Sequence, residues 1–161
     1  VVCIDAPVLM YQFLSTIRQA DGTYLTDDNG NVTSHLVGIN SRVVKLIQNH
    51  LKLVFVFDGK SPELKKKEQE RRRALKDDAQ EKYKIAVEQK DFAEMKKFAA
   101  RSVKVTREMI EEAKELIRAY GIPVIEAPSE AEAQASHMVK KGDAYAVATQ
   151  DTDLLCLVVH V

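Results

Sequence analysis

Carboxylates stand wherever this chain finishes an apolar run. VVCID ends at Asp5, LKLVFVFD at Asp58, and YAVATQD at Asp151, with Asp153 two positions further on. The run PVIEA leads into a segment carrying Glu130 and Glu132. In an extended chain, side chains two apart point the same way, so Asp151 and Asp153 crowd together. Like charges held that close raise each other's pKa unless a cation compensates. An all-oxygen donor set without His or Cys points to Mg²⁺, with Mn²⁺ as its expected substitute, rather than to zinc. Six acids on one rim suit two ions roughly 4 Å apart, the arrangement that activates water and steadies a leaving oxygen in phosphodiester hydrolysis.

Each acid also has a plainer reading. Aspartate favours turns and helix N-caps, and Ser129-Glu130-Ala131-Glu132 fits a capping box with Ser129 as N-cap. Asp151 and Asp153 resist that reading best, because one turn needs one aspartate. The metal reading is carried by the joint pattern of acids after successive strands, and by no single member.

A second set of residues is basic. ELKKKEQERRRALK (63–76) places Lys65 and Arg72 seven apart, on one helix face. That is roughly 10 Å along the axis, a spacing that suits a phosphate backbone or reaches into the acidic rim. The bland alternative is a solvated helix laced by pairs four apart, such as Lys66 with Glu70. The arm leaves directly after Asp58 and returns near residue 105, too polar for an ordinary core, as a mobile cover or clamp would. Tyr83, Phe92, Met95 and Phe98 offer it a modest interior, or aromatic contact with unpaired bases.

Strands at 1–5, 51–58, 123–127 and 145–151 must position these groups. Helices are expected from about residue 6 to 17, from Thr33-Ser34 to Asn49, from 63 to about 100, from Thr106 to Tyr120, and from Pro128-Ser129 to Lys141. DGTYLTDDNGN (21–31) reads as a small hairpin or an irregular loop. Strands alternating with helices predict an α/β fold with a mostly parallel central sheet flanked by helices. Ligands in such sheets bind beyond the carboxyl ends of the strands, where the acids fall.

Composition narrows the class. The chain has 161 residues, 45% hydrophobic and 30% charged, and fits one globular domain with a sizeable core. Lys+Arg and Asp+Glu both number 24, so only the distribution of charge speaks about nucleic acid. Cys3 and Cys156 lie in apolar runs without ligand spacing and read as buried thiols of a reducing compartment. No apolar run reaches the roughly 20 residues of a membrane span, and no signal peptide is visible. The chain opens at Val1 inside an apolar run, without Met, and closes on LLCLVVHV, as a piece of something longer would.

Taken together, these residues resemble the flap endonuclease family, structure-specific 5′ nucleases of DNA replication and repair, in its archaeal and eukaryotic branch. The resemblance runs through Asp5 and Tyr11-Gln12-Phe13-Leu14, Thr33-Ser34-His35-Leu36, VFDGKSPELK (56–65), GIPVIEAPSEAEAQAS (121–136) and Gln150-Asp151-Thr152-Asp153. It implies a PIN-like 5′ nuclease fold over residues 1–161, with a helical arch inserted at about 60–105. It further implies Mg²⁺-dependent endonuclease and 5′–3′ exonuclease action on flapped DNA, through two ions and a metal-bound hydroxide. Asp5, Asp58, Glu130, Glu132, Asp151 and Asp153 fall on the family's metal-site carboxylates, and Glu130 also on its DNA contacts. Lys65 and Arg72 match the basic pair that assists the scissile phosphate, and Tyr11 an aromatic that stacks on a base. Arg18 and Arg42 fall where the family touches DNA. The sliding-clamp peptide of the family has no counterpart among these residues. A monomer is expected, in the cytoplasm of an archaeon or the nucleus of a eukaryote. Two other readings stand beside this one: a non-catalytic DNA-binding fragment of the family, and a PIN-like ribonuclease.

Overall fold

A computed structural model of the chain describes residues 1–60 and 63–150, apart from the side chains at positions 64 and 66. Strand β1 (Val2–Asp5) is followed by helices α1 (Ala6–Thr16) and α2 (Ser34–Gln48), then by β2 (Leu53–Phe57). A short 3-10 turn (Glu63–Lys65) opens helix α3 (Lys66–Glu88), followed by α4 (Phe92–Arg101) and α5 (Arg107–Ala119). The chain continues with β3 (Val124–Glu126), α6 (Ala131–Lys141) and β4 (Ala146–Ala148). The four strands form one parallel sheet in the order β3-β2-β1-β4, so the expected α/β architecture is present.

Alternation along β2 explains the layering. Leu53, Phe55 and Phe57 point to one face, where they pack with Phe13 and Leu14 of α1, Ile39 and Val43 of α2, and Ala113 and Ile117 of α5. Val54 and Val56 point to the other face and meet Ala131 and Ala135 of α6. Small alanines on that helix let its backbone lie close to the sheet. β1 feeds β2 and then β3 in one direction, while β4 pairs on the opposite side of β1. That reversal makes the β1/β4 boundary the topological switch point, beyond which ligands bind in open α/β sheets.

Local signals set the element ends. Pro7 lies in the first turn of α1, where a missing N–H costs nothing. Thr106 caps α5 by accepting the Met109 N–H, and Gly142 ends α6 with a φ of 83°. The 21–31 stretch is held by two antiparallel bridges, Arg18 with Tyr24 and Thr26 with Val32. Asp27 caps its turn by accepting the Asn29 and Asn31 amides.

Helices α3 and α4 pack on each other through small residues, Ala79, Ala86 and Ala99, with Met95. Of the four residues expected to furnish an interior here, Met95 is buried, Tyr83 and Phe98 are half-buried, and Phe92 is exposed. Phe92 is the first residue of α4, beside its Asp91 cap, and nothing folds back over it there. Cys3 is buried as expected, whereas Cys156 lies outside the described residues. Among the described residues no helix is long and apolar enough to cross a membrane.

Candidate active site

The carboxyl ends of β1 and β2 open into a cleft of about 1280 Å³. Asp5, Asp58, Glu130 and Glu132 line its floor, and Lys65, Arg72 and Tyr11 line it as well. Seven of the residues singled out by the sequence are thus brought to one cleft. Further basic residues of the α3–α4 insertion face it, including Arg73, Lys76, Arg101 and Lys104. Bases therefore predominate on the α3–α4 side, with Glu68 and Asp78 among them, above acids carried by the strand ends and the start of α6.

Asp5 is 3% exposed and serves as the N-cap of α1. One of its oxygens accepts the Val8 N–H (3.4 Å), and the other accepts the Thr149 hydroxyl (3.0 Å) across the switch point. Asp58 reaches across to a different element. Its Oδ1 accepts the Ala131 N–H (2.8 Å), 73 positions away, at the start of α6. Burial pushes the Asp58 carboxyl above its ordinary pKa, and the neighbouring charge of Glu130 adds to the rise. The Ala131 amide and Lys65 oppose it. Both aspartates therefore combine the two readings, since each caps a helix while facing the cleft.

The capping box expected from Ser129 and Glu132 does not form. α6 begins at Ala131 with Glu130 as its N-cap residue, and no side chain of Glu130 caps the helix. Asp58 takes that role instead, because the β2 and β3 loops lie against each other and bring its carboxylate to the first free amide. Glu132 consequently faces the cleft from the first turn of α6.

Lys65 forms an ion pair with Glu130, linking the start of the insertion to the acidic floor. Arg72 donates to Glu68 (2.8 Å), as does Arg71, and these two guanidinium groups hold the Glu68 carboxyl down to about 2. Tyr11 is 42% exposed, and Lys76 approaches its hydroxyl (3.2 Å) and lies 4.4 Å from its ring centre.

Two further expected residues, Arg42 and Arg18, lie outside this cleft. Arg42 borders a smaller cavity of about 150 Å³ on the far side of Asp5, shared with Thr149 and Gln150. Arg18 sits under the insertion, donating to Gly22 O (2.7 Å) and Ala99 O (2.8 Å), with its guanidinium over Tyr24. Asp151 and Asp153 lie outside the described residues. Among the described residues no three His, Cys, Asp or Glu side chains are gathered to hold a metal ion. The floor acids share a cleft, with two of them turned toward helix amides.

One contributor was not read from the sequence. Thr149 is positioned by the Ile4–Ala148 pairing, one step beyond the end of β4, a partner no local pattern reveals. Lys76 closes the basic run read at 63–76 and lies four residues after Arg72 on the same helix face.

Comparison with known proteins agrees with this geometry. Residues 1–79 match the XPG N-terminal domain and residues 121–158 the XPG I-region. Flap endonuclease 1 of Pyrococcus furiosus is 49% identical over 154 residues, which are 96% of this chain and 45% of that protein. The solved flap endonuclease-1 from Methanococcus jannaschii superposes with a TM-score of 0.67 at 44% identity, covering 96% of this chain and 49% of that one. The catalytic core of Rad2 in complex with DNA substrate gives a TM-score of 0.63 at 28% identity, covering 96% and 40%. The chain thus spans about half the length of the relatives it matches. With both XPG regions in place and about half its residues shared with archaeal flap endonucleases, the chain belongs to the flap endonuclease family of nucleases.

Proposed function

We propose that the cleft is the phosphodiester-hydrolysing centre of a structure-specific 5′ nuclease acting on flapped DNA. The observation that carries this is the meeting of two faces in one cleft, acids of the strand ends and the start of α6 below, with Asp5 buried among them, and a predominantly basic helical wall above. The Rad2 relative's complex with DNA substrate supports the choice of nucleic acid.

The donor set fits a hard divalent cation. It is all oxygen, and the raised pKa of Asp58 reflects partly buried negative charge that a cation would relieve. Asp58, Glu130, Glu132 and Asp5 would hold the metal from the described residues, with Asp151 and Asp153 completing the set from the sequence. When bound, Mg²⁺ would supply an activated water and stabilise the leaving oxygen. Lys65 and Arg72 would offset charge developing on the scissile phosphate. Tyr11 presents an exposed ring at the cleft wall, suited to stacking on an unpaired base. Arg42 would neutralise a phosphate beside the floor, and Arg18 would serve DNA binding through the insertion it supports. The helical insertion α3–α4 would act as the arch over the cleft, within one nuclease domain that works as a monomer.

A 5′-flapped duplex incubated with the chain in Mg²⁺, with EDTA as control, tests the reading. Metal-dependent cuts near the junction are expected, leaving a 5′-phosphate. A specific observation favours a second reading, a non-catalytic DNA-binding unit: Asp5 and Asp58 each accept a helix N–H, which a purely structural role would also require. Flap binding without turnover at any Mg²⁺ or Mn²⁺ concentration would favour it. Cleavage of RNA at least as fast as flapped DNA would point instead to a PIN-like ribonuclease.

A further inference from the structure

The parallel ladder between β2 and β3 does not stop where the strands stop. The Ala127 N–H donates to Phe57 O (2.9 Å), and the Gly59 N–H donates to Ser129 O (2.6 Å). The first bond continues the strand register and the second is displaced by two residues, since that register would bring the Gly59 N–H to Ala127 O, so the two loops stay joined by backbone bonds past the strand ends. Between them stands Asp58, whose carboxylate takes the Ala131 N–H (2.8 Å).

This approach leaves no room at position 59. A Cβ added to Gly59 would lie 1.9 Å from Ala127 O and 3.0 Å from the Ala127 and Pro128 carbonyl carbons. Those are backbone atoms, so no side-chain rotation relieves the overlap, and one of the two loops must move. We infer that Gly59 is a positioning residue for the cleft, locking the loop of Asp58 to the loop of Glu130 so that the two acids keep a fixed separation. The inference deepens the proposed metal-dependent function and rests on it for its consequence, though not for its geometry. Gly59 touches no reacting atom. It acts by letting two backbones zip together, which fixes one acid from β2 against another from the start of α6.

Gly59→Ala tests this, with Gly38→Ala as the comparison. A Cβ at Gly38 would lie 2.2 Å from the Phe13 ring, so that variant also loses stability, but between α1 and α2 and away from the acids. Amide hydrogen exchange and Mn²⁺ titration are the readouts. In Gly59→Ala the Ala131 amide should lose its protection, and Mn²⁺ binding should weaken by roughly tenfold or more. In Gly38→Ala both should stay as in the parent chain despite a lower Tm. An Ala131 amide as protected in Gly59→Ala as in the parent, with unchanged Mn²⁺ affinity, would overturn the inference. Should Gly59→Ala fail to fold, the parent chain decides, because a Gly59 amide exchanging at the free-loop rate would equally overturn it. Absence of Mn²⁺ binding by the parent would sink the metal site instead, leaving the Ala131 and Gly59 amides to judge the lock.

Discussion

The floor of the cleft and its wall are made of different materials. At the floor, all five residues of β2 are buried, Asp5 is 3% exposed, and Asp5 and Asp58 are held by hydrogen bonds from amides and a hydroxyl. At the wall, the buried apolar residues of α3 are Ala79 and Ala86 among those described, and its charges pair along its own surface. Exposed pairs of that kind contribute little to stability and weaken with salt. The floor is rigid because hydrophobic packing holds the strands that carry it. The wall is a helix whose order depends on contacts at a few points: Lys65 with Glu130, Lys76 with Tyr11, Lys104 with Asp77, and Arg18 with Ala99 O. Under the proposed function, the first construction suits a site that holds ions at fixed positions, and the second suits a cover that admits a nucleic acid.

Removing floor packing should have the largest effect. Phe55→Ala, at a residue 1% exposed, should lower stability by about 3–5 kcal/mol in urea unfolding. A loss below about 1 kcal/mol would mean that the floor is not held by packing. Asp58→Asn should divide the two properties of the floor. Cleavage should fall by more than about 100-fold, as for loss of a group that holds the metal. In metal-free buffer the same variant should melt at a higher temperature, because the parent carboxylate is pushed up in pKa by burial and pays for ionisation at neutral pH. The amide oxygen still accepts the Ala131 N–H, so the cap survives the change.

At the wall, Lys65→Ala or Arg72→Ala should slow single-turnover cutting by roughly 10- to 100-fold while leaving Tm unchanged. Equal losses of activity and stability would show that the insertion, not the phosphate, needs them. His35 offers a smaller test between α2 and α5. It is fully buried, and Glu112 Oε2 lies 3.1 Å from its Nε2. Burial lowers its pKa below 6.5 more than Glu112 raises it, so the unfolded chain takes up the proton more readily. Stability should therefore be full above about pH 6.5 and decline as pH falls from there toward the folded pKa. His35→Gln should flatten that slope in urea titrations across the window. The smallest effect belongs to Glu68→Gln, which removes two exposed pairs on α3 and should leave Tm where it was.

Much of the floor was legible because its signals are local. The apolar runs ending in Asp5 and Asp58 became β1 and β2, and Gly121 and Gly142 closed the helices expected to end there. The basic face of α3 was equally plain, since helical spacing alone puts Lys65, Arg72 and Lys76 toward one side. The cap of α6 was not legible. The local pattern favoured Ser129, yet Asp58 from another strand took the amide once the loops met. Arg18 shows the same limit. The resemblance implied a DNA contact for it, and only the fold adds that its guanidinium binds backbone carbonyls of the 21–31 loop and of α4.

The sequence by itself determined the elements, the acids at their ends and the basic face of the insertion, because each follows from periodicity and propensity over a few neighbouring residues. Only the tertiary structure decided that β1 lies between β2 and β4, that Thr149 meets Asp5, and that Gly59 must carry no side chain. Those facts arise from contacts between residues far apart in the chain, and packing chooses such contacts only when the whole sheet has closed.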